Sequence, residues 1–78
     1  MTRLRLFAAA REAAGTGTDT FDASTVGEVL DSARERYGEA FAAVLDRCRV
    51  WCNGDACEPG DPVGPDDEVA VLPPVSGG

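Results

Sequence analysis

Apolar and polar residues alternate over residues 2–7, with Leu4 and Leu6 on one side and Arg3, Arg5 and Phe7 on the other. A period of two predicts a strand with one buried face. Residues 8–15 are Ala-rich and read as a helical turn that stops at Gly15. Residues 16–22 carry Thr18, Thr20 and Phe21 and read as a second strand, with Gly15 and Gly17 suited to a turn that returns it antiparallel to the first. The period then changes. Thr25-Val26-Gly27-Glu28 fits a capping box. Val26, Val29, Leu30, Ala33 and Tyr37 follow at helical spacing and make one apolar stripe. Arg34 and Arg36 suit the negative end of that helix, and Gly38 is placed to end it. Phe41, Val44 and Leu45 predict a short second helix.

Alternation returns at residues 49–53, with Val50 and Cys52 opposite Arg49 and Trp51. Asn53-Gly54 or Gly54-Asp55 is a hairpin turn signal, and Ala56-Cys57 a short strand. Residues 58–67 hold Pro59, Gly60, Pro62, Gly64 and Pro65 and read as loop. Residues 68–72 form the last strand, with Val69 and Val71 inward and Ala70 and Leu72 outward, and Pro73-Pro74 stops it. The predicted order is β-β-α-(short α)-β-β-β. One helix covers one sheet face, because each has a single apolar side. The long crossover lets the last strand lie parallel beside the first. The expected fold class is α+β: a β-grasp, ubiquitin-like roll with a mixed sheet and one main helix. Strand parity leaves the other face partly open, with Phe7, Trp51 and Leu72 pointing that way.

The chain has 78 residues and a formal charge of −7. At that length it is a single domain, and a domain so small is marginal alone, so partners should matter to it. The acidic balance argues against nucleic acid and anionic membranes. There is no long apolar run at the start, and none of membrane-spanning length anywhere, so the expected place is the cytoplasm. There is no His and no Lys. That excludes His-dependent nucleophilic catalysis, Schiff-base chemistry and the phosphate-binding lysine of a P-loop. Residues 1–49 hold eight acids and seven Arg, while residues 50–78 hold six acids and no basic residue. The uneven charge is either a solvated acidic face or a sign that the C-terminal third meets a basic partner.

Cys48, Cys52 and Cys57 are spaced C-x3-C-x4-C. Cys48 and Cys52 lie about 13 Å apart along a strand, too far for a disulfide. A zinc site lacks a convincing fourth ligand, and the four-Cys spacing of a plant-type iron–sulfur ferredoxin is absent. The expectation is no metal, with the cysteines acting as small apolar residues.

The last segment is Leu72-Pro73-Pro74-Val75-Ser76-Gly77-Gly78. We divide the chain into a domain at 1–72 and a flexible tail at 73–78, disordered beyond Pro74 when free. Extended, that tail reaches about 20 Å. The prolines stiffen its base, and Gly77 and Gly78, lacking Cβ, let a terminal carboxylate enter a narrow channel.

Four segments together resemble the MoaD/ThiS class of sulfur carriers, and within it the molybdopterin synthase small-subunit family. They are Leu6-Phe7-Ala8-Ala9-Ala10-Arg11-Glu12, Thr25-Val26-Gly27-Glu28-Val29-Leu30, Cys52-Asn53-Gly54 and Asp66 through Gly78. The resemblance implies that an E1-like enzyme uses ATP to adenylate Gly78, and that sulfur from a persulfide source makes it a thiocarboxylate. The tail then enters a large subunit, which converts cyclic pyranopterin monophosphate to the molybdopterin dithiolene. The implied assembly is a heterotetramer, with no cofactor bound to this chain and no catalysis by it alone. Apolar residues at the positions of Phe7, Ala56 and Leu72 are implied to dock partners. Ala56 is smaller than usual there, and strand parity makes Trp51 a replacement. Gly78 carries the reacting group and Gly77 supplies clearance, while Pro73, Pro74, Val75 and Ser76 position the tail against the partner. The competing readings are a carrier for thiazole, cysteine or tRNA thiolation, a ubiquitin-like protein modifier, and a β-grasp binding module with an idle tail.

Overall fold

The computed structural model describes residues 1–73. The first strand, β1, spans Thr2–Leu6, and the helix α1 spans Ala8–Ala14. Strand β2 spans Thr18–Phe21, helix α2 Val26–Tyr37 and helix α3 Glu39–Leu45. Strands β3, β4 and β5 span Arg49–Cys52, Asp55–Ala56 and Glu68–Leu72. The five strands form one sheet in the order β2-β1-β5-β3-β4. Strand β1 runs parallel to β5, with Arg3 opposite Glu68 and Leu6 opposite Val71, and the remaining pairs are antiparallel. This is the mixed β-grasp sheet expected from the pattern, with β5 at its centre.

The period-two residues Leu4, Leu6, Val69 and Val71 are buried on one face. The α2 stripe of Val26, Val29, Leu30 and Ala33 packs on them, joined by Phe41 and Leu45 of α3. Helix α2 begins as its capping box predicts. Thr25 Oγ1 accepts the Glu28 N–H at 3.2 Å, and Glu28 Oε1 accepts the N–H of Ser24, one residue before the cap, at 3.2 Å. The loop after β4 closes over the same helix end. Val26 N–H donates to the Asp61 carbonyl at 2.9 Å and Gly27 N–H to the Pro59 carbonyl at 2.8 Å, so two otherwise unpaired helix donors are satisfied by loop backbone. The Asn53-Gly54 turn has φ of 52° and 86°, the pair of left-handed residues a two-residue hairpin needs.

Several expectations change. Phe7 does not end β1. It is the extended N-cap of α1, although its N–H still donates to the Val71 carbonyl at 3.2 Å. The Ala-rich segment is a helix of seven residues rather than a turn, because Ala10 is buried and Ala13 and Ala14 pack on the core. The observed order is therefore β-α-β-α-α-β-β-β. Strand β4 starts at Asp55 and ends before Cys57, since the two-residue turn sets Cys52 opposite Asp55. Val50 and Cys52 share the face of Val71 and Val69 but are only half-buried, lying toward the sheet edge. Two core residues stood outside the apolar pattern. Val63 is buried from the loop, and Thr2, in register with Leu4 and Leu6 but polar, is buried with its hydroxyl donating to the Gly64 carbonyl at 2.9 Å.

Candidate functional site

The outward residues of the central strands meet on the open face. Register places Arg49 opposite Leu72 and Trp51 opposite Ala70, and sets Arg5 beside Ala70 on the other flank. Phe7 joins them from the end of β1. Phe7, Trp51, Ala70, Leu72 and Pro73 line a shallow, largely apolar groove of about 520 Å³, rimmed by Arg49 and Glu68. Of the residues proposed from sequence, Phe7, Trp51, Leu72 and Pro73 therefore come together. Ala56 lies opposite Trp51 at the exposed edge of the sheet and does not line the groove. Ala70 lines it and was legible as an outward position of β5. Pro74, Val75, Ser76, Gly77 and Gly78 lie outside the described residues.

The electrostatics of this face bear on the uneven charge of the chain. The acids of the C-terminal third do not surround the point where the tail begins. Asp66 and Asp67 precede β5, at the opposite end of the strand from Leu72. There Asp67 accepts from Asn53 Nδ2 at 2.8 Å and from the Gly64 N–H at 2.7 Å, which hold its carboxyl below the usual range. Asn53 Oδ1 accepts the Glu68 N–H at 3.0 Å, locking the hairpin to the start of β5. A strand separates Asp66 and Asp67 from Leu72 by about 17 Å. On the open face Arg3 and Arg5 lie against Glu68, and Arg3 shares its end of the sheet with Asp66 and Asp67, while Arg49 lies opposite Leu72. Arg3 and Arg5 approach Glu68 at 3.8 and 3.7 Å, contacts of little strength at this exposure, and Arg5 also lies 5.3 Å from the Phe7 ring centre. The groove beside the tail is apolar, with one cation, Arg49, and one acid, Glu68, on its rim.

The cysteines are free and half-buried. Burial pushes all three thiols up, and for Cys52 the nearby Asp67, Asp61 and Asp55 push in the same direction. Thiols held protonated are poor nucleophiles and poor metal ligands. Among the described residues no group of three His, Cys, Asp or Glu side chains is placed to hold a metal. No helix among them is long and apolar enough to cross a membrane.

The ThiS family model matches residues 4–78, a span that includes Gly77 and Gly78. The chain belongs to the ThiS family. Its members are ubiquitin-like carriers and modifiers of the MoaD/ThiS type, and this chain is such a small carrier-type protein. It is 34% identical to small archaeal modifier protein 1 of Haloferax volcanii, over 95% of this chain and 97% of that one. The solution structure of small archaeal modifier protein 1 from Methanosarcina acetivorans superposes with a TM-score of 0.87 at 28% identity, covering 99% of this chain and 95% of that one. Subunit 1 in the Helicobacter pylori complex of subunits 1 and 2 of molybdopterin-converting factor shares the fold, with a TM-score of 0.74 at 22% identity, over 99% of this chain and 97% of that one.

Proposed function

We propose that this chain is the sulfur-carrying subunit of a molybdopterin synthase, with Gly78 as the group that reacts. The observation that carries the reading is where the last strand delivers the tail: Leu72 and Pro73 line the apolar groove, and Pro74-Val75-Ser76-Gly77-Gly78 follows directly. A partner seated on Phe7, Trp51 and Leu72 would receive the tail from the edge of its own contact surface. Arg49, on the rim of the groove opposite Leu72, calls for a carboxylate on the partner beside its apolar surface. The large subunit and the E1-like activating enzyme would both use this face, one after the other.

In the proposed sequence the Gly78 carboxylate attacks the α-phosphate of ATP on the activating enzyme, releasing pyrophosphate. Sulfur from a persulfide displaces AMP, and a thiol reductant leaves the thiocarboxylate. The large subunit then draws sulfur from it into the pterin precursor. This chain has neither His nor Lys, and in this reading the general acid and base come from the partner. The chain's own contribution is a narrow, stiffened reach and a docking face.

A second reading has its own observation: the 34% identical relative is named a modifier protein. In that reading the activated Gly78 is passed to lysines of target proteins. Intact mass after incubation with an activating enzyme, ATP and a sulfur source tests both. Sulfur replacing oxygen at Gly78, followed by molybdopterin formation with a large subunit and cyclic pyranopterin monophosphate, is the expected result. Thiocarboxylate that makes no molybdopterin, alongside alkali-stable lysine adducts lost on deleting Gly78, selects the modifier. An unchanged mass with an enzyme active on another carrier overturns both.

A further inference from the structure

Strand β2 is one edge of the sheet, with β1 as its only strand neighbour. Leu6 N–H donates to the Gly17 carbonyl at 2.9 Å, which marks Leu6 and Gly17 as a hydrogen-bonded pair. Alternation along the antiparallel register makes Leu4–Asp19 and Thr2–Phe21 bonded pairs too. The backbone groups of Thr18 and Thr20 therefore point away from the sheet. Groups so placed are a template for another strand.

All four are already occupied by side chains of this chain. Thr16 Oγ1 accepts the Thr18 N–H at 3.4 Å and donates to the Thr18 carbonyl at 2.9 Å. Asp19 Oδ1 accepts the Thr20 N–H at 2.8 Å, and Arg36 Nη1 donates to the Thr20 carbonyl at 3.4 Å. Arg36 is itself held in place, 2.9 Å from Asp19 Oδ2 and 4.2 Å from the Phe21 ring centre. The other sheet edge, β4, is only two residues long.

We infer that the edge of β2 is a strand-pairing surface for a second copy of this chain, held closed by Thr16, Asp19 and Arg36. The register is self-complementary. Two antiparallel β2 strands related by a twofold axis at Asp19 put Thr18 of each opposite Thr20 of the other, and the outward groups then make four N–H···O bonds. The two sheets join through their edges. Asp19 would face its own copy across that axis, so its charge opposes the pairing as well as its hydrogen bond. Closure keeps each tail-bearing domain single, and leaves the open face as the surface on which it is bound.

Sedimentation equilibrium on the full chain tests this with the triple variant Thr16→Val, Asp19→Thr, Arg36→Met, which frees all four groups and removes the facing charges. The wild-type chain is expected to stay monomeric at every concentration. The triple variant should show a weight-average mass that climbs with concentration toward twice the monomer value. Adding Thr20→Pro, which deletes an outward N–H that β1 does not use, should return it to monomer. A folded triple variant that remains monomeric overturns the inference, as does a dimer that survives Thr20→Pro or a wild-type dimer paired through β2. If circular dichroism shows the triple variant unfolded, Thr16→Val with Asp19→Thr decides: it frees both Thr18 groups and the Thr20 N–H, removes the facing charges and takes from Arg36 its carboxylate anchor, and a mass that never rises above that of the wild type counts against the inference.

Discussion

Gly27 sits in the first turn of α2, where an alanine would ordinarily help. Alanine is favoured over glycine by about 1 kcal/mol in a helix interior, somewhat less in a first turn. Here the space is taken. A Cβ built on Gly27 would lie 3.0 Å from the Pro59 carbonyl oxygen and 3.3 Å from Pro59 Cβ. Pro59 has little freedom to retreat. Its carbonyl accepts the Gly27 N–H at 2.8 Å, and the same loop is tied by Asp61 O to Val26 N–H and by Val63 N–H to Ser24 O, each at 2.9 Å. Within the loop, Asp61 also accepts the Glu58 N–H at 2.9 Å. Moving Pro59 away stretches the bond it makes to Gly27, forfeiting about 1 kcal/mol. The contact itself costs about 1–3 kcal/mol, as overpacking does elsewhere. Set against the propensity gain, Gly27→Ala should destabilise by about 1–2 kcal/mol. For a domain of this size that is a fall in Tm of about 5–15 °C. Gly60 is the control, because a Cβ there meets nothing within 4 Å. Gly60→Ala should leave stability unchanged or raise it by up to about 1 kcal/mol through the unfolded chain. Urea titrations of the three proteins give the comparison. A Gly27→Ala protein as stable as wild type, or more so, would refute the reasoning and show that the loop yields freely.

Tyr37 donates its hydroxyl hydrogen bond to Asp19, and burial first, then Asp19, pushes the phenol up to about 12. Burial also acts to raise Asp19, but bonds from Tyr37, Arg36 and the Thr20 N–H outweigh it and hold its carboxyl below the usual range. A phenol raised on folding stabilises the domain fully below its unfolded value of about 10, and that stability disappears as pH climbs through the folded value. Tyr37→Phe should thus cost about 1–2 kcal/mol at neutral pH, with the gap to wild type closing between about pH 10 and about pH 12 in parallel urea titrations. A gap independent of pH would exclude the Asp19 bond as its source. Trp51→Ala should weaken binding of a partner on the open face by about 2 kcal/mol, roughly thirtyfold, as measured by titration calorimetry. Unchanged affinity would remove Trp51 from that surface. The three thiols should react with iodoacetamide at neutral pH at least roughly threefold more slowly than a free cysteine, and equal rates would contradict their protonated, half-buried state.

The fold was legible wherever one period ran cleanly. Leu4, Leu6, Val69 and Val71 alternate because each lies between a sheet neighbour and α2, and the α2 stripe repeats because the helix buries one side. The Ala-rich segment was read too short, since alanine carries almost no amphipathic signal and only tertiary packing shows which of its faces is covered. Val63 enters the core from a loop with no period, and Thr2 continues the Leu4, Leu6 alternation but is masked by its hydroxyl. The groove was half legible: parity put Phe7, Trp51 and Leu72 on one face, but parity is blind to distance along a strand and across the sheet. That is why Ala56 falls outside it, and why acids adjacent in sequence to β5 sit far from Leu72. Of the bonds that close the β2 edge, those of Thr16 to Thr18 and of Asp19 to Thr20 are local, but Arg36 to Thr20 joins two elements and no local pattern records it.

The parallel pairing of β1 with β5 has a temporal meaning. The first strand made is completed by the last, with Arg3 waiting for Glu68 across nearly the whole chain. Until β5 has been synthesised the sheet lacks its central strand, and the α2 stripe has only half a surface to rest on. The domain therefore closes only once the segment leading directly into the tail is in place. The strand that leads into the residues beyond Pro73 is thus also the one on which closure of the sheet depends.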